Sequence, residues 1–284
     1  MGLLGKIVYT SPHGTSQGII SRFFLNFKKM SDMAFMGDIT RENLYDEYYE
    51  NNLDDFTNFY DGYQNVIQLR KEYIEGIISG KYYSRFDSGE FTADKSPEVK
   101  IKKAIQDFFK DGKPFLTNFA KSRLLNDGVL QLERLLVVSE KNYKTAKDEM
   151  ISSLPYKVYE VFFNLIEDAQ DAFKKDFFLI RDKFEHNSFR LPDFETNFEN
   201  GTLHIIDPHI NGQNIFKLID LYYYSSLNLI EDLAAYFFGI NAYHRSNGMI
   251  TLFSNNGLVE PSNFRFRYTI TLDVGDPDLT KLIN

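Results

Sequence analysis

The sequence predicts a mainly α-helical protein with a small antiparallel β element in its last third. Three observations lead there. Apolar residues recur at steps of three and four over most of the chain, the period of helices with one buried face. Turn and cap residues break that period at only a few places. After residue 190 the pattern changes: Asn200-Gly201, a hairpin-turn dipeptide, lies between Phe198 and residues 203–206, and residues 264–272 alternate apolar and polar.

Composition narrows the class. The 27 Phe and 18 Tyr among 284 residues can bury a large core, which excludes a disordered tail. The absence of Cys excludes a disulfide scaffold and a Cys-ligated zinc or iron–sulfur centre, and it agrees with a reducing cytosol, so a cytoplasmic location is expected. No uninterrupted apolar run approaches the roughly 20 residues of a membrane span. The net charge of −8 is concentrated. Residues 1–30 carry Lys6, Arg22, Lys28 and Lys29 and no acid, whereas residues 31–66 carry nine acids against Arg41 alone. On average such a surface repels phosphate backbones, so nucleic acid would need a local basic site.

The elements follow in order. The basic, hydroxyl-rich N-terminus loosely resembles a transit peptide but lacks the apolar core of a secretory signal. Ile19, Ile20, Phe23, Phe24 and Phe27 recur at helical spacing beside Arg22, Lys28 and Lys29. The expectation is a helix docked on the protein's own core. The other reading is a membrane-surface contact through Ile19, Phe23 and Phe27. Thr40, with Asn43 three residues on, reads as the N-cap of a long helix reaching Ser79-Gly80, with Asn51-Asn52 and Gly62 as places where it could break. Its acids read as a solvated face. Residues 80–96 read as a loop. Ser96-Pro97 starts a helix expected to end at Asp111-Gly112. Pro114 then starts another, broken near Asn126-Asp127-Gly128 and resuming to about Ser152.

A long amphipathic helix begins near Leu154-Pro155. Its stripe is Val158, Phe162, Leu165, Ile166, Ala169, Phe173, Phe177, Ile180 and Phe184, and Pro192 closes the segment. Asp207-Pro208 and Asn211-Gly212 read as turns. Ile215 to Phe238 reads as an apolar helix ended by Gly239, and residues 249–253 as a strand. The domain reading is one compact unit of three regions. These are an N-terminal region with the long helix (1–96), a helical bundle (97–240) and a hairpin-like tail (241–284).

The candidate chemistry lies in Ile180-Arg181-Asp182-Lys183-Phe184-Glu185-His186-Asn187. On a helix Asp182 and His186 are four apart and share a face, so the carboxylate can fix the imidazole's tautomer. Arg181, five residues from His186, is turned away from it but can stabilise a phosphate. Carboxylate, imidazole and guanidinium are what metal-free RNA cleavage requires: a base for the 2′-hydroxyl, an acid for the leaving 5′-oxygen and a cation at phosphorus.

The run from Arg181 to His186 resembles the Arg-x4-His motif of HEPN domains (higher eukaryotes and prokaryotes nucleotide-binding), where a polar residue such as Asp182 commonly follows the Arg. The looser fold resemblance covers about residues 110–240. It implies an antiparallel helical bundle and a homodimer whose paired motifs build a composite site. It also implies metal-independent RNA cleavage in a toxin–antitoxin or phage-defence setting, with an antitoxin or other protein as a further partner. Arg181 would stabilise phosphate, His186 would act as acid or base, and Asp182 would orient. Many members of the family are inactive, so the alternative is a non-catalytic HEPN-like scaffold that binds a partner.

Other motifs are set against this one. His204, Asp207 and His209 offer metal-ligand chemistry but no metalloprotease spacing, and no metal or other cofactor is expected. Arg265 and Arg267 share one strand face and are expected to meet nearby acids rather than phosphates. Tyr222-Tyr223-Tyr224 could stack on bases but sit in an apolar helix, where core packing is expected. Residues 14–18 are small and flexible but form no P-loop, and no dinucleotide fingerprint is present.

Overall fold

The structure is a computed structural model. It describes residues 4–9, 19–35, 38, 40–85, 91–126, 131–136, 140–152, 156–186, 190–199, 202–245, 252–254 and 267–273. In chain order the elements begin with β1 (Leu4–Tyr9), a π-helical turn (Ile20–Leu25) that runs into α1 (Asn26–Ala34), and α2 (Thr40–Ile78). Next come β2 (Tyr83–Arg85), β3 (Phe91–Ala93), α3 (Ser96–Lys121), a 3-10 turn (Arg123–Leu125), α4 (Leu132–Leu136) and α5 (Glu140–Ser152). Then follow α6 (Tyr156–Ala172), a second π-helical turn (Phe173–Phe177) and α7 (Phe178–Glu185). The last third holds β4 (Glu195–Glu199), β5 (Thr202–Ile206), β6 (His209–Ile210), β7 (Gln213–Asn214), α8 (Ile215–Arg245), β8 (Leu252–Ser254) and β9 (Tyr268–Asp273). The protein is mainly helical, as the periodicity predicts. Among the described residues no helix is long and apolar enough to cross a membrane.

The chain forms two compact units: Met1–Phe56, Leu116–Asp171 and Leu227–Asn284 in the first, Thr57–Phe115 and Ala172–Ser226 in the second.

In the first unit, β1 is the centre of a three-stranded sheet of order β8-β1-β9. It runs antiparallel to β9, from Leu4 opposite Asp273 to Tyr9 opposite Tyr268, and parallel to β8. The two tail strands thus each pair with the N-terminal strand rather than with each other. Beyond this sheet, the first helical segment supplies an aromatic core. Phe23, Phe24, Phe27 and Met30 are fully buried. Phe23 and Phe24 meet Phe56 of α2 at ring distances of 5.0 and 5.3 Å, and Phe27 meets Phe119 of α3 and Phe238 of α8. Ile19, Phe23 and Phe27 therefore face the protein's own core, and the membrane-contact reading of these three residues is corrected. Burying each such side chain is worth about 1.5–3 kcal/mol, which a surface helix would forgo.

Helix α2 is capped slightly earlier than expected. The Asp38 carboxylate accepts the Thr40 amide at 3.2 Å and its hydroxyl at 2.6 Å, so Thr40 is the first helical residue, not the cap. The helix does not break at Asn51-Asn52. Asn52 turns its amide inward, donating to the Tyr48 carbonyl at 2.8 Å, and so stays compatible with the helix. The interruption read at residues 126–128 is real at its start. There, Asn126 donates to the Ala120 and Ser122 carbonyls and accepts the Glu133 amide. Residues 127 and 128 lie outside the described part. Helix α8 runs past Gly239 to Arg245, which corrects the expected stop. Ile240, Asn241 and Ala242 beyond the glycine are all buried, and that outweighs the roughly 1 kcal/mol a helical Gly costs.

The second unit is packed on stacked rings. Phe59 lies over Phe115 at 4.4 Å and Phe108 at 5.0 Å, nearly parallel to both. Tyr63 stacks on Tyr223 at 3.9 Å and donates its hydroxyl to Asp220 at 2.9 Å. Helix α3 passes through Asp111, Gly112 and Pro114 without ending, contrary to the expected stop. Gly112 is there for close approach: a Cβ on it would stand 2.3 Å from Cζ of Phe177. Pro114 removes one helical N–H, but Phe108, Phe109 and Phe115 on either side are fully buried. Their burial outweighs the roughly 3 kcal/mol a helical Pro costs.

Helix α2 is also unbroken at Gly62, where a Cβ would find ordinary contact distances. Strands β4 and β5 form the expected hairpin, with Glu199 opposite Thr202; its turn, residues 200 and 201, lies outside the described part. Strands β6 and β7 form a second, tighter hairpin. Asn211 (φ 53°) and Gly212 (φ 80°) both adopt the left-handed conformation its two-residue turn needs.

Candidate functional site

The motif Arg181–His186 sits at the end of α7, in the second unit. The stripe that builds this helix is buried as predicted: Phe177 is fully buried, and Ile180 and Phe184 nearly so. Phe177 packs on Phe109 at 5.2 Å and Tyr222 at 5.0 Å, and Phe184 on Phe109 at 5.6 Å. The preceding π-helical turn widens one helical turn just before the motif, a feature often found beside functional residues. The buried stripe therefore fixes the azimuth of α7 and leaves the motif on its outer side.

Arg181 is anchored at this rim. Its Nη1 pairs with the Asp182 carboxylate at 2.8 Å, and its Nη2 pairs with Glu185 one turn on. Its side chain is 18% exposed, and its Nε is buried with no hydrogen-bond partner. His186 stands at the helix C-cap, where its amide donates to the Asp182 carbonyl at 3.0 Å and its side chain is exposed. Among the described residues no hydrogen bond joins the Asp182 carboxylate to the His186 ring; that carboxylate serves Arg181 instead. Glu185 was not singled out from the sequence as a partner of Arg181, although the four-residue spacing signals it.

The other candidates resolve differently. Asp207 is held by Arg70, through Nη2 at 2.7 Å and Nε at 3.1 Å, and by Asn214 at 2.9 Å. His204 and His209 are exposed. Among the described residues no group of three or more His, Cys, Asp or Glu could hold a metal ion. Tyr222 and Tyr223 are buried and Tyr224 is 54% exposed. Arg265 and residues 14–18 lie outside the described part.

Arg267 is 8% exposed and meets acids, as expected, in a buried ionic network of the first unit that the sequence did not reveal. Arg22 reaches Glu231 at 2.7 Å and Asn228 at 2.7 Å. The Arg267 amide donates to Glu231 at 3.1 Å, and its guanidinium pairs with Asp232 at 3.0 Å. Tyr268 donates its hydroxyl to Asp232 at 2.5 Å. Burial pushes the Glu231 and Asp232 carboxyls above the usual range, with the arginines pulling the other way, and burial raises the Tyr268 hydroxyl strongly. This network joins α1's entry turn, α8 and the start of β9. Its members are spread over more than two hundred residues, so local sequence carries no sign of it.

Comparisons with protein-family models, curated proteins and solved structures return no match. What the fold and the site define is a mainly helical protein of two compact units. One of them carries an arginine–histidine pair at an exposed helix end.

Proposed function

We propose that the chain is a HEPN-like, metal-independent endoribonuclease whose site is completed by a second copy of itself. One observation carries the reading. The Arg-x4-His spacing falls at the exposed end of a long amphipathic helix, with Arg181 anchored and His186 free to meet a substrate. In this reading His186 takes the proton from a 2′-hydroxyl. The resulting alkoxide attacks phosphorus, and the His186 of the second copy protonates the departing 5′-oxygen. Arg181 stabilises the charge that builds on the phosphate oxygens. Asp182 orients Arg181, rather than the imidazole, until the phosphate takes its place.

The test is incubation of the purified chain with total RNA in EDTA, beside Arg181→Ala and His186→Ala. Each substitution is expected to lower cleavage by about 10²–10⁴-fold while circular dichroism stays unchanged. Equal cleavage by all three proteins assigns the activity to a contaminant and overturns the proposal, as does a parent that does not cut.

One observation favours the second reading, a non-catalytic scaffold of the same fold. Both Nη groups of Arg181 are already engaged by carboxylates. A scaffold would bind its partner equally well with Ala at either position.

A further inference from the structure

The first unit contains a polar hollow that the nuclease reading does not use. It measures about 330 Å³ and opens between α2 and the end of α3. That is the small end of the roughly 300–1,000 Å³ typical of ligand sites. Its wall includes Asn51 and Asn52 from α2, and Asn118, Lys121, Ser122 and Arg123 from α3 and the 3-10 turn. Three features define what it can hold.

The first is charge. Lys121 is exposed and forms no ion pair among the described residues. Arg123 is paired with Glu47 at 3.0 Å, but the two side chains are 71% and 38% exposed. Such a pair contributes about 0–1 kcal/mol, so an entering dianion can displace Glu47 at little cost. The second is hydrogen bonding. Asn52 is 1% exposed, and its Oδ1 is buried without a partner, while its Nδ2 is committed to the Tyr48 carbonyl. An orphaned buried acceptor costs about 1–3 kcal/mol, which a donor entering the hollow would recover. The Asn51 amide and the Ser122 hydroxyl both donate and accept, the pattern that suits ligand hydroxyls, while the Asn118 amide is held by Asp55 at 2.7 Å. The third is the lack, among the described residues, of a stacking surface. The one aromatic among the described wall residues, Tyr48, is 1% exposed, stacked on Phe27 and bonded through its hydroxyl to the Phe23 carbonyl. A nucleobase would find no ring face to lie on.

We infer that this hollow binds a small sugar phosphate. Its phosphate lies between Lys121 and Arg123, and a sugar hydroxyl donates to Asn52 Oδ1. The site does not depend on the nuclease reading, since it lies in the other unit.

The test is calorimetric titration of the full chain with glucose 6-phosphate, ribose 5-phosphate, uridine monophosphate, glucose and inorganic phosphate, each up to about 10 mM. One or both sugar phosphates are expected to bind at least about tenfold more tightly than glucose, inorganic phosphate or the nucleotide. A Lys121→Gln/Arg123→Gln double variant is expected to lose at least about tenfold in affinity for the sugar phosphate. Both positions are exposed, so its unliganded thermal midpoint should match the parent. Ser122→Ala should weaken sugar phosphate while leaving any inorganic-phosphate binding unchanged. The inference is overturned if no sugar phosphate binds, if the double variant binds as well as the parent, or if inorganic phosphate or the nucleotide binds as tightly.

Discussion

Two glycines inside helices make opposite predictions. Alanine should stabilise either helix by about 1 kcal/mol from propensity alone. At Gly62 nothing opposes that gain: the nearest atom to a new Cβ is Cα of Phe108 at 3.7 Å, an ordinary contact. Gly62→Ala is therefore expected to stabilise by about 0.5–1 kcal/mol. At Gly112 the Cβ would stand 2.3 Å from Cζ and 2.6 Å from Cε1 of Phe177, and 3.2 Å from Cε2 of Phe59. Carbon atoms prefer about 3.5–4.0 Å, so the ring would have to move by more than about 1 Å. Phe177 has no room to do so, being fully buried against Phe109 and Tyr222. Overpacking costs about 1–3 kcal/mol, and this geometry lies at the upper end. Net of propensity, Gly112→Ala should destabilise by about 1–2 kcal/mol. Urea unfolding followed by circular dichroism measures both, and thermal midpoints should separate in the same sense, by about 2–4 °C per kcal/mol. A Gly112→Ala protein as stable as the parent, or a Gly62→Ala protein less stable, would refute the packing argument.

The buried ionic network yields two further expectations. Arg22→Met removes one partner and leaves Glu231 fully buried with less compensation, so a loss of about 3–5 kcal/mol is expected in urea unfolding; a loss below about 1 kcal/mol would show that the network relaxes freely. Burial raises the folded Glu231 carboxyl above its ordinary 4.5, so the folded state holds that proton more tightly. The stability from this group is present below about pH 4.5 and is lost as pH rises through the raised value. Glu231→Gln cannot titrate, so its stability relative to the parent should shift in its favour as pH rises from about 4.5 towards neutral. A constant difference across that range would contradict the expectation.

Helical periodicity made most of the fold legible. Phe162, Ile166, Ala169, Phe173, Phe177, Ile180 and Phe184 are buried with Leu165 half-buried, and Ile19, Phe23, Phe24 and Phe27 of the N-terminal stripe are core while Ile20 is exposed. Local breakers misled where tertiary packing overrode them. Gly112 and Pro114 read as a stop and a start, yet the aromatic rings around them hold one continuous helix. Gly239 misled for the same reason. Strand β1 was unreadable because its partners lie at the far end of the chain, and its pairing depends on contacts local pattern cannot encode. At the candidate site, the spacing of Arg181, Asp182 and His186 was legible. Which acid meets which base was not, because Asp182 and Glu185 are both within reach of Arg181 and geometry alone decides between ring and guanidinium.

The carboxylates on Arg181 decide how the nuclease reading has to work. In that reading both Nη groups exchange Asp182 and Glu185 for phosphate oxygens. Those acids are 48% and 33% exposed, so each pair contributes about 0–1 kcal/mol and releasing both costs at most about 2 kcal/mol. A charge-assisted hydrogen bond to phosphate contributes about 1.5–3 kcal/mol, so two of them outweigh the release. The displaced acids would then face a polyanion and weaken its binding. Glu185→Gln keeps a side chain able to hydrogen-bond Arg181 but removes one of those negative charges. The expectation is a lower KM for RNA, by about two- to tenfold, with kcat retained. A Glu185→Gln protein that loses cleavage as completely as Arg181→Ala would show that Glu185 takes part in the chemistry, and the view of Arg181's partners as displaceable anchors would have to be abandoned.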